Sequence, residues 1–112
     1  MQLIQFTQDL ANPIHQYQSI DTFYRKITKT EVPTTIGFIY IEQGGVVGLH
    51  DAPIPQLFIV INGEGWISGE DGEKITIKTG QGVLWHQGQA HESGSITGLT
   101  ALVIQAEQIN LT

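Results

Sequence analysis

The groups with most to offer chemistry are four imidazoles, His15, His50, His86 and His91, and one amide, Gln56, set in the most apolar run of the chain. An imidazole changes charge near neutral pH, and its neutral ring nitrogens ligate divalent metals. An amide buried among aliphatic side chains needs hydrogen-bond partners. Gln56 therefore reads either as a core bond to a neighbouring strand or as a polar group in a pocket. Other chemistries drop out. The sequence has no cysteine, which removes disulfides, zinc–thiolate sites and cysteine nucleophiles. No glycine loop leads into a helix to cradle phosphate, and no Gly-x-Ser-x-Gly nucleophile elbow occurs. Gly63-Glu-Gly65 and Gly80-Gln-Gly82 read as hairpin glycines.

The elements that must position these groups read as strands. Thirteen glycines fall mostly from Gly37 onward, between short runs rich in Ile, Val, Phe and Tyr. Short strands at regular spacing with turn signals between them predict a sandwich or barrel. The expected strands are Leu3–Phe6, Thr22–Thr28, Thr35–Glu42, Gly48–His50, Pro55–Ile61, Gly65–Ser68, Lys74–Lys78, Gly82–His86 and Leu99–Glu107. Gly65–Ser68 and Lys74–Lys78 form a hairpin across Gly69-Glu-Asp-Gly72, where Asp-Gly supplies the turn. No helical period emerges, and Asn12-Pro13 ends the one hint of it around Ile4, Phe6 and Leu10. The 112 residues make one domain, residues 1–112, able to bury a single core. Barrel closure and the packing of two sheets both deal with strand edges, and the strand pattern leaves that choice open.

Composition limits the partners. The formal net charge is −6 with only five Lys plus Arg, three of them clustered at Arg25, Lys26 and Lys29. That balance opposes binding to nucleic acid, which needs a basic face, and to anionic membranes. Met1 to Leu10 lacks the basic start and apolar run of a signal peptide. No apolar stretch approaches the roughly 20 residues that cross a bilayer. A soluble cytoplasmic protein is expected.

The segment Gly44 to His91 resembles the two signature motifs of the cupin family. The first motif is a glycine, five residues, His-x-His, three or four residues, Glu, six residues, Gly. Here Gly44, His50 and Gly63 fall in place, with Ala52 at the second histidine and Gln56 at the glutamate. The second motif is a glycine, five residues, Pro-x-Gly, two residues, His, three residues, Asn. Gly80, Gly88 and His91 match it, with His86 at the proline and Ser95 at the asparagine. Motif 1 spans about 44–63 and motif 2 about 80–95. Gly63 and Gly88 suit turns that need positive φ.

The resemblance implies an all-β fold, a cupin-type barrel or jelly roll, also described as a double-stranded β-helix. In the family the His-x-His pair, the glutamate and the second-motif histidine bind a divalent metal inside the barrel. Carried over, this places His50, Gln56 and His91 together as a reduced ligand set for Fe, Mn, Ni or Zn. Two imidazoles and a neutral amide oxygen neutralise none of the metal's charge, so a weakly held ion is expected. Asp51 and Glu92 face away by strand alternation unless a bulge intervenes. Phe58, Trp85 and Tyr40 are expected to shape the pocket beside His50, Gln56 and His91, with Trp85 of first interest. His86 reads as a turn residue and His15 has no evident partner. Three functions follow: a small-molecule-binding protein, a metal-dependent dioxygenase or isomerase, and an oligomeric scaffold with a vestigial pocket. A homodimer paired through edge strands is expected in any of them.

Overall fold

The computed structural model describes residues 1–111. Its strands are β1 (Gln2–Gln5), β2 (Asn12–Pro13), β3 (Phe23–Tyr24), β4 (Thr34–Ile41), β5 (Val46–Asp51), β6 (Gln56–Ser68), β7 (Lys74–Lys78), β8 (Gln81–Trp85), β9 (Ala90–Gly94) and β10 (Leu99–Ala106). Two antiparallel layers result. One runs β1-β8-β6-β10-β4; in the other, β6 is flanked by β7 and β9, and β9 pairs with β5. A separate two-residue ribbon joins β2 to β3.

β6 belongs to both layers. Its first part, Gln56 to Gly63, pairs with β8 and β10, and its last part, Glu64 to Ser68, pairs with β7 and β9. The corner is a bulge. Val60 faces Ala101 and Asn62 faces Thr100, so Ile61 is one residue extra, and an extra residue bends a strand and increases its twist. Gly63 follows at φ +91°, and a Cβ there would stand 2.4 Å from the Gly98 carbonyl oxygen. Only glycine fits both demands. The two strands expected at Pro55–Ile61 and Gly65–Ser68 are therefore one bent strand.

Three more expectations shift. Thr22–Thr28 contracts to Phe23–Tyr24, and Gly48–His50 lengthens to Val46–Asp51. Ala90–Gly94, absent from the expected set, is a strand held between β5 and β6. The Lys74–Lys78 hairpin forms as expected. Ser68 faces Lys74, Gly72 has φ +73°, and the Glu73 N–H donates to Asp71 Oδ1 at 3.0 Å.

Two apolar clusters hold the layers. Between the sheets lie Phe58, Val60, Ile67, Ile77, Val83 and Ala101. On the outer side of the first sheet, Leu57, Ile59, Leu84 and Ile104 are covered by Ile4, Phe6, Ile27, Ile109 and Leu111. Both faces of β6 are thus covered at its start, and residues Gln56 to Val60 are all buried. This explains why that run reads as continuously apolar rather than alternating. Each fully buried aliphatic or aromatic side chain contributes roughly 1.5–3 kcal/mol. Among the described residues no helix is long and apolar enough to cross a membrane.

Candidate functional site

One wall of the site is a row of residues facing one another across four strands. Thr35 on β4 is paired with Gln105 on β10, Gln105 with Gln56 on β6, and Gln56 with Trp85 on β8. The next inward row, two residues along each strand, is Gly37, Val103 and Phe58. Alternation puts both rows on the same face, and all seven residues line one cavity of about 300 Å³. The wall is therefore polar along one row and apolar along the next. Gln56 is 6% exposed.

The opposite wall carries the imidazoles. His50 on β5 lies directly across from His91 on β9, with ring centroids 4.3 Å apart and planes inclined at 58°. A bulge makes this possible. Val47 faces Ser93, yet three residues on His50 faces His91, so β5 carries one extra residue in between. In a regular strand Val47 and His50 would face opposite sides; here both line the cavity, while Leu49 is exposed. Each ring is anchored the same way. His50 Nδ1 lies 2.7 Å from the Gly48 carbonyl oxygen and His91 Nδ1 lies 3.0 Å from that of Gln89. A carbonyl only accepts, so Nδ1 carries the proton in each ring. In the neutral form each Nε2 then keeps a free lone pair.

The two rings differ in surroundings. His50 is exposed, whereas His91 is 2% exposed and stacked flat on the Trp85 indole, at 4.0 Å and 16°. Burial holds the His91 pKa below its ordinary value, and a positive charge on His50 would lower it further. The hydrogen bond to Gln89 and the charge of Asp51 work weakly the other way. Trp85, 1% exposed, packs obliquely on Phe58, and its Nε1–H is buried with no hydrogen-bond partner.

The structure brings His50, Gln56, Phe58, Trp85 and His91 to one cavity. It does not bring Tyr40 there. Tyr40 is 71% exposed on the outer face of β4, because Ile39 and Ile41 take the inward positions. Ala52, at the second histidine position of the motif, is a buried member of the inter-sheet core. His15 and His86 are exposed. Gly63 and Gly88 have the positive φ their motif positions suggest. Three polar lining residues, Thr35, Ser93 and Gln105, were not anticipated from the sequence. Gln105 had a signal: it is the polar member of the inward set Ala101, Val103, Gln105.

The donor set was tested against a metal. Among the described residues no group of three or more His, Cys, Asp or Glu stands where it could hold an ion. The residues present do not fit the four-ligand site of the family. What they offer is two Nε2 lone pairs and the neutral Gln56 amide, with no anionic ligand.

No protein-family model and no curated protein matches the sequence. Solved structures do match in fold. A cupin-like protein from Thermotoga maritima superposes with a TM-score of 0.63 at 20% identity, over 70% of this chain and 64% of that one. An RmlC-like cupin from Shewanella frigidimarina gives 0.61 at 17% identity, over 67% of each. A conserved protein of unknown function from Streptococcus pyogenes gives 0.61 at 18%, over 72% and 71%. The shared architecture is the two-layer barrel built around the bent β6, and by that fold the chain is a cupin.

Proposed function

We propose that this protein binds a small organic molecule in the cavity between its sheets, with His50, Gln56 and His91 as the principal polar contacts. The observation that carries the reading is the convergence of two backbone-anchored imidazoles on a wall that also holds Gln56 and Trp85. A mostly apolar cavity with a few fixed polar groups is the usual form of such a site, and this one lies at the lower end of the roughly 300–1,000 Å³ range. The test is a small-molecule thermal-shift screen, with hits confirmed by calorimetry on wild type and on His91→Ala and Gln56→Leu. Hits that lose affinity in both variants support the reading. Hits unaffected by either variant place the ligand elsewhere and defeat it.

A second reading is favoured by the pair of free Nε2 lone pairs: a weakly held divalent ion, Fe, Mn, Ni or Zn, shared by the two imidazoles with Gln56. Elemental analysis of protein purified without metal-loaded columns should then find less than one ion per chain, and chelation should leave the fold intact. One tightly retained ion per chain would replace the first reading by a metal-centred one.

We also infer a homodimer formed through β4. Among the described residues β4 pairs only with β10. It contains no charged residue to blunt its free edge, and it exposes Ile36, Phe38 and Tyr40. Sedimentation should show a dimer that Tyr40→Lys dissociates while the circular dichroism spectrum stays unchanged; a wild-type monomer rejects the inference.

A further inference from the structure

The cavity wall is polar without being charged. No Asp, Glu, Lys or Arg lines it, although the chain has sixteen such residues, five basic and eleven acidic. A carboxylate or ammonium entering this space would shed its hydration and find no fixed opposite charge to repay it. The hydrogen-bonding groups come in both kinds. The buried Trp85 Nε1–H is a donor without a partner, and a buried unpaired donor is costly unless an incoming molecule supplies an acceptor. The Nε2 atoms of His50 and His91 are acceptors in the neutral rings, because each Nδ1–H is already committed to a carbonyl. Phe58 and the stacked Trp85–His91 pair add aromatic surface.

Resting on the small-molecule reading above, we propose that the ligand is an uncharged, single-ring-sized molecule carrying a carbonyl-type acceptor next to an N–H or O–H donor. The acceptor meets the Trp85 indole N–H and the donor meets an imidazole Nε2. The glutamine amides, each both donor and acceptor, tolerate further polar groups but do not set the charge preference. The chemistry is that of a primary amide, an imide or an enolisable ketone rather than of an acid or an amine.

Three probes of equal size separate the alternatives: benzamide, benzoate and benzylamine. Each is titrated at neutral pH into uniformly ¹⁵N-labelled protein. The two indole N–H signals are assigned with Trp66→Phe, which leaves Trp85 as the only indole. Benzamide should move the Trp85 indole signal downfield and saturably. Benzoate and benzylammonium should bind at least about tenfold more weakly, the cost of burying an unpaired charge being far larger than one hydrogen bond. Trp85→Phe should weaken benzamide while leaving the dispersed amide spectrum in place. If a charged probe binds as tightly as benzamide, the neutral-ligand proposal fails and the small-molecule reading survives. If benzamide binds with the indole signal unmoved, the assignment of the Trp85 donor fails and the proposal with it. If none of the three moves any cavity signal, both the proposal and the reading beneath it fall.

Discussion

The two imidazoles share a backbone anchor and sit on strands of opposite standing. His91 belongs to β9, which is paired on both sides, by β5 and by β6. It is buried, and its ring lies flat on Trp85, itself part of the core. His50 belongs to β5, which pairs with β9 alone among the described residues, bulges just before it, and is exposed. One face of the cavity is thus fixed by packing on every side, and the other hangs on a single ladder. The contrast separates two jobs that ligand sites often merge. The buried half holds its geometry without a ligand, and the edge half is free to adjust as one arrives. A site built this way keeps its shape when its outer histidine is changed and loses it when its inner aromatic is removed.

Substitutions that probe each half should differ in proportion. Trp85→Ala removes a fully buried aromatic and the platform for His91, and should cost roughly 3–5 kcal/mol in urea denaturation; a loss under about 1 kcal/mol would show that the inner wall is as loose as the outer. His91→Ala should come next, at about 1–3 kcal/mol, because it empties a buried position between Trp85 and β5. Acidification probes the same residue without mutation. The His91 pKa is lowered in the folded state, so the unfolded chain binds more protons below its own pKa of about 6.5. The contribution of His91 is complete above that value and declines as pH falls through the lowered one, with a slope of at most about 1.4 kcal/mol per pH unit. Denaturation at pH 7.5 and 5.5 should show the decline in wild type and a smaller one in His91→Gln; equal declines would remove His91 as its source. His50→Ala should shift stability by no more than about 0.5 kcal/mol. A large loss there would erase the distinction between the walls.

Much of the site was legible from spacing. The offsets of Gly44, His50, Gln56, Gly63, Gly80 and His91 along the sequence foretold which residues meet, since strand alternation and short turns convert such offsets into position. Tyr40 was not legible. β4 carries apolar side chains on both parities, Ile36, Phe38 and Tyr40 against Ile39 and Ile41, so alternation could not say which set faces inward. β9 escaped because Ala-His-Glu-Ser-Gly has little strand preference of its own; it is extended because two neighbours hold it. The corner in β6 read as a turn because Asn62-Gly-Glu-Gly65 has turn composition, and only pairing on both sides reveals one strand. The extra residue in β5 is similar. Nothing between Val47 and His50 announces it, although it decides which way the imidazole looks.

The shared strand β6 also bears on how the molecule comes apart. Since its two ends are sewn into different layers, neither layer can detach while the other stays whole, and loss of the corner releases four neighbouring strands together. Amides near Val60 and Ile67 should accordingly exchange with deuterium only through global opening, while those of β1 and the β2–β3 ribbon exchange by fraying. Melting should be all-or-none rather than stepwise.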